Sequence, residues 1–128
     1  MADNNLAAGI TSVGTYSVDA LYAGDTMPRV KRVVTLTGGP YVRGTLLGVV
    51  TASGKYPRSA SAAGDGSEAP EAILDQDADG SAADVKALIC ETGEFNEGAV
   101  VLGAGHTIAS VRKTLRGLGI FLRKVVAA

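Results

Sequence analysis

The sequence predicts a mainly β, β-rich α+β fold: a small barrel- or sandwich-like body with one short C-terminal amphipathic helix and an extended N-terminal arm. Three observations lead there. Seventeen of the 128 residues are glycine, roughly twice the usual share of about 7%, which suits frequent turns between short strands. Runs of Val, Ile, Leu and Thr such as Val33-Val34-Thr35-Leu36 recur between those glycines, and β-branched residues fit a pleated, half-buried surface. One short stretch near the C-terminus, from Ile108, carries apolar residues at helical spacing.

At 128 residues the chain reads as one domain with a single core and no room for a cofactor-sized cleft between domains. Twelve basic and thirteen acidic side chains leave a net charge of −1, without the basic footprint of a protein that wraps nucleic acid. Direct nucleic-acid binding is not expected. No segment approaches the ~18 apolar residues of a membrane span, and Met1 to Leu6 lack the basic start and apolar stretch of a signal peptide. The expectation is therefore a soluble protein made in a cytoplasm, with no membrane partner. Cys90 is the one cysteine and His106 the one histidine, so neither an intrachain disulfide nor a structural zinc site of four such ligands is available. No cofactor is expected.

Residues 1 to about 10 are small and polar, with too little apolar surface to offset backbone ordering, and read as a mobile tip. From Tyr16 onward, Tyr16, Val18, Ala20 and Tyr22 alternate with Ser17, Asp19 and Leu21, the two-residue period of an extended strand. Gly24 to Pro28 breaks that segment. The break places a boundary between an arm, residues 1–28, and a single β-rich domain, residues 29–128. Arg29, Lys31 and Arg32 lead into a strand over Val33–Leu36, and Gly38-Gly39-Pro40 reads as a turn. Gly44 to Thr51 reads as a buried strand whose Ser53-Gly54 turn returns through Lys55-Tyr56 as a hairpin. Pro57 to Pro70, rich in Ser, Ala and Gly, reads as an exposed loop.

Glu71–Leu74 is the next expected strand, followed by an acidic loop over Asp75 to Asp84 and a strand over Val85 to Thr92. On that last strand Val85, Ala87, Ile89 and Glu91 share one face and Lys86, Leu88 and Cys90 the other. Neither face is cleanly polar, which places it between layers. Thr107 suits a helix N-cap. Ile108, Val111, Leu115 and Leu118 then line one face while Arg112, Lys113 and Arg116 face away, and Gly117 or Gly119 ends the helix. Ile120 to Leu122 returns as a strand, and residues 123–128 form a tail.

Several residue groups invite chemistry. Asp75, Asp77, Asp79 and Gly80 reproduce the opening of an EF-hand calcium loop, yet position eight is Ala82 and position twelve is Lys86, where a bidentate glutamate is required. A solvated acidic turn is the expected reading. Gly103-Ala104-Gly105 before a helix is similar to a dinucleotide-binding turn, but Ile108 stands at the third glycine position and no acidic ribose ligand follows. His106 is the only imidazole base, and no Gly-x-Ser-x-Gly elbow accompanies it. Cys90 lies in an apolar strand, where a thiol behaves as a small hydrophobe. The acidic Asp65, Glu68 and Glu71 and the basic Arg112, Lys113 and Arg116 read as solvated faces. No catalytic constellation emerges, and an enzyme is not expected.

The stretch Thr92-Gly-Glu-Phe-Asn96, the run Gly98 to Gly105 and the segment His106 to Leu122, together with Val33 to Leu36 and Gly44 to Tyr56, resemble the phage head decoration proteins of the lambda protein D type. The resemblance runs from Tyr16 and most firmly from Val33 to Leu122. It implies a structural virion protein that binds the major capsid protein on the outer surface of the head, after assembly in the host cytoplasm, and cements the mature icosahedral shell. It further implies a homotrimer at threefold and quasi-threefold positions, with the N-terminal arm adding a strand to capsid-protein β-structure. The candidate contact residues are Val13, Thr15, Tyr16, Val18, Ala20 and Tyr22, whose alternation suits β-augmentation. Removing residues 1–22 is then expected to leave a folded body. Two other readings remain open at this point: a tail or baseplate β-protein, and a small hydrolase or ligand-binding β-domain using His106 with the Asp75 to Asp84 loop.

Overall fold

The structure, a computed structural model, describes residues 21–24 and 26–124. Its elements are β1 (Tyr22–Gly24), β2 (Lys31–Tyr41), β3 (Leu46–Gly48), β4 (Pro70–Leu74), β5 (Ala78–Cys90), β6 (Gly93–Asn96), α1 (Ile108–Gly117) and β7 (Ile120–Arg123). The expected mainly-β class with one short helix holds. The strands form two separate sheets, one of order β2-β5-β4-β3 and one of order β1-β6-β7, so the body is not a closed barrel.

The larger sheet divides two hydrophobic clusters, and the period-two alternation of its strands does the dividing. Leu46, Ile73 and Cys90 point to one side, where they meet Leu21, Phe95, Val111, Leu115, Ile120 and Leu122. Their neighbours Leu47, Ala72, Leu74 and Ile89 point to the other, with Val34, Leu36, Tyr56 and Ala87. The placement of β5 between layers is therefore met at its Cys90 end. Each fully buried Leu, Ile or Phe contributes about 1.5–3 kcal/mol by leaving water, and a one-residue slip of β4 would send Ile73 into the wrong cluster.

Several expected boundaries move. Gly38-Gly39-Pro40 does not end β2; the strand continues to Tyr41, which pairs with Ala78, after a register shift between Leu36 and Gly38. That shift accommodates the exposed Ser81 to Asp84 of β5, so the expected acidic loop shrinks to the turn before Ala78 and a bulge in the ladder. Regular pairing of Gly44 to Thr51 is confined to Leu46–Gly48. The chain does reverse at Ser53-Gly54, with the Val50 amide donating to the Lys55 carbonyl at 2.9 Å, but the return meets the sheets only through bridges of Tyr56 to Leu36 and Arg58 to Leu47.

The segment Pro57 to Pro70 is not simply exposed, because Ser59 and Ser67 are buried. The Ser59 amide donates to the Leu46 carbonyl at 2.9 Å and the Ser61 amide to the Ala104 carbonyl at 3.0 Å, pinning the segment between β3 and the turn before α1. Gly103 is required there: a Cβ on it would lie 1.8 Å from the Ser59 carbonyl oxygen.

Helix α1 begins as expected at Thr107, whose hydroxyl accepts from the Ser110 amide while the Ser110 hydroxyl reaches back to the cap. Val111 and Leu115 are buried, but Leu118 is the C-cap and is 46% exposed. The apolar face is thus one turn shorter than its spacing suggests. β6 and β7 pair in parallel across this helix, forming a short βαβ unit that the sequence did not announce.

Candidate functional site

The described chain begins at Leu21 and enters the body through β1. The three residues of that strand pair antiparallel with β6, Tyr22 opposite Phe95, and Leu21 is buried in the core. The Tyr22 ring lies 5.7 Å from that of Phe95, and its hydroxyl donates to Asp75 Oδ1 at 2.8 Å. Asp75 also takes Lys31 at 2.8 Å and Arg43 at 3.1 Å, with its own side chain only 4% exposed. The Arg29 guanidinium lies 4.0 Å from the centre of the tyrosine ring, and Arg43 lies 5.3 Å away, positions in which each cation–π contact contributes about 0.5–1 kcal/mol.

This arrangement sets the ionisation of its members. Burial pushes Asp75 upward, but the donors Lys31, Tyr22 and Arg43 outweigh burial and hold its carboxyl below the usual range. Burial and donation to Asp75 push the Tyr22 phenol up to about 12, so it stays a neutral donor. Cys90 Sγ lies 3.7 Å from the same hydroxyl, and burial raises that thiol.

Tyr22, Phe95 and Leu122 stand in one row across β1, β6 and β7. With strands about 4.8 Å apart, the point where the preceding chain joins Tyr22 and the point where the following chain leaves Arg123 sit roughly 10 Å apart, at one end of one sheet. Beside them lies a groove of about 620 Å³ with an apolar floor of Met27, Phe121 and Leu122 and a rim of Arg112, Arg116 and Arg123. Glu94, 6% exposed, lies between; the Met27 amide and the Arg123 guanidinium hold its carboxyl below the usual range. Arg112 bonds Glu97 and the Leu122 carbonyl, so it does not simply face away from the body.

Of the residues singled out from sequence, Val13, Thr15, Tyr16, Val18 and Ala20 lie outside the described residues. Tyr22 belongs to the body, as do Leu21 to Gly24, which the sequence reading counted with the arm. The cluster of Asp75, Lys31, Arg43 and Arg29 around Tyr22 was missed. Its only sequence signal was the basic run beginning at Arg29, since Asp75 read as part of a calcium-like loop.

The chemistry weighed from sequence does not assemble. His106 Nε2 meets Ser59 Oγ at 3.0 Å, while Asp75 is engaged as above, Asp77 accepts from the Arg43 amide and Asp79 from Ser81. The histidine and the acidic segment therefore share no site, and neither lines the groove. Among the described residues no three His, Cys, Asp or Glu side chains gather to hold a metal ion, and no helix is long and apolar enough to cross a membrane.

Residues 11–121 match the model of the family described as bacteriophage lambda head decoration protein D. The chain belongs to that family. No curated protein matches it. Head decoration proteins of the lambda D family are structural, non-catalytic components of the phage capsid surface, and the chain's role is accordingly capsid decoration. The match begins at residue 11, so it takes in the stretch from Val13 to Ala20 as well as the body.

Proposed function

We propose that this chain is a cement protein: it binds the major capsid protein on the outside of the icosahedral head, as a homotrimer at threefold and quasi-threefold positions, and stabilises the mature shell. Assembly takes place in the host cytoplasm. The residues Val13, Thr15, Tyr16, Val18 and Ala20 add a strand to capsid-protein β-structure, and Tyr22 roots that strand in the body. The family match over residues 11–121 carries this reading.

Magnitudes divide the task between arm and body. Ordering the arm costs on the order of 1–2 kcal/mol of backbone entropy per residue. Burying Val13, Tyr16 and Val18 returns about 1.5–3 kcal/mol each, and each backbone hydrogen bond adds roughly 0.5–1.5 kcal/mol net. These terms lie near balance, so the arm supplies register and the simultaneous engagement of several copies supplies affinity, by a factor that reaches about 10² or more for linked sites. Fixing Leu21 to Gly24 in the body reduces the chain that must be ordered on binding.

The test is a truncation, and the structure decides where to cut. Removing residues 1–22 would take Leu21 and Tyr22 out of the core, so the cut belongs before Leu21. A chain of residues 21–128 is expected to melt as the full chain does and to bind decoration-free heads at least about tenfold more weakly. Undiminished binding would contradict the arm mechanism.

A further inference from the structure

The arm is not the whole of the surface offered at that end of the sheet. β7 is an edge strand, with β6 on one side and no strand on the other among the described residues. Phe121 and Leu122 both line the groove, which lies beside that open edge. Its volume falls within the roughly 300–1,000 Å³ of sites that take a ligand. Of the three guanidiniums on the rim, Arg123 already pairs with Glu94 in the groove and Arg112 with Glu97 beside it. Arg116, exposed in the last turn of α1, has no ionic partner among the described residues. Lys124 directly follows Arg123 in the chain.

We infer that this groove takes an extended, carboxylate-bearing segment of the capsid protein, which lies along the β7 edge with its apolar side chains on Met27 and Phe121 and a carboxylate on Arg116. The inference rests on the shell-binding reading above and adds a second contact to it. Two observations select this occupant. The charge of the groove favours an acidic partner, because guanidinium forks match carboxylates in geometry and charge. Its position, two strands from the root of the arm in the same sheet, puts it against whatever surface the arm engages. The body then holds the shell at two adjacent points, the arm donating a strand and the β7 groove receiving a segment in return.

The experiment titrates the full chain, Arg116→Glu and Lys113→Glu onto decoration-free heads at two salt concentrations, with thermal melting and sedimentation of each free protein alongside. Lys113 is an exposed cation on the same helix that does not line the groove. Arg116→Glu is expected to bind about tenfold more weakly and with a shallower dependence on salt, with melting and self-association unchanged, while Lys113→Glu binds as the unaltered chain does. Equal losses in both variants would mean a diffuse charge effect and overturn the groove. Loss of self-association by Arg116→Glu in the absence of heads would make the occupant a second copy of this chain and overturn it too. Full binding by Arg116→Glu overturns the groove alone, whereas failure of the unaltered chain to bind heads overturns the shell-binding reading and the groove with it.

Discussion

Asp75 has three donors turned on it, the Tyr22 hydroxyl, Lys31 and Arg43, and its removal is the most informative single change in the body. Asp75→Ala leaves those donors without their shared acceptor. Lys31 and Arg43 keep 40% and 35% of their side chains exposed, so solvent screens part of the loss, and a destabilisation of about 1–3 kcal/mol is expected. Thermal or denaturant unfolding measures it. The same site fixes a pH dependence. The folded-state carboxyl is held below its ordinary value, so its stabilisation is present above the unfolded pKa of about 4 and is lost as pH falls through the lower folded value. Between those two values the unaltered protein should lose stability more steeply than Asp75→Ala as pH falls. None of this was legible in the sequence, because Asp75 lies 53 residues from Tyr22 and 32 from Arg43. Local spacing placed it at the start of a solvated acidic turn instead.

At the scale of elements, what was legible is what local sequence decides. The helix follows from a cap and a three-to-four spacing that lie within one segment, and Thr107 stands at the cap as expected. Thr107→Ala should cost about 1 kcal/mol, read from the shift of the denaturation midpoint. Leu118 broke the pattern because helix and apolar face end together there. β6 went unread because four residues, Gly93–Asn96, are too few to show a period, and one of them, Glu94, is a buried carboxylate neutralised by Arg123. The segment Pro57 to Pro70 looked like loop from composition, yet what buries Ser59 is Gly103, more than forty residues away, together with β3. Gly103→Ala would set a methyl group against the Ser59 carbonyl and should cost about 1–3 kcal/mol by the same measurement. A melt indistinguishable from the unaltered protein would show that this segment is held some other way.

For the molecule as a whole, the larger sheet with a cluster on each side makes a body in which β1, β6 and β7 bring the start of β1 and the end of β7 to one end of the smaller sheet. That common end is the physical reason to expect one face of the body to meet the capsid. The class of fold was legible in glycine content and short β-branched runs; the split into two sheets was not, since nothing in the alternation of Leu46 and Leu47 or of Ile73 and Leu74 says which cluster each joins. Family membership was legible from the stretches between Val33 and Leu122, and the match extends it to residue 11. A reconstruction by electron cryo-microscopy of heads decorated with the full chain tests the central claim most directly. The body is expected on the outer surface, with the residues before Leu21 running from β1 as an added strand on capsid-protein β-structure. A body seated elsewhere on the particle, or seated on the head with those residues unpaired to the shell, would contradict it.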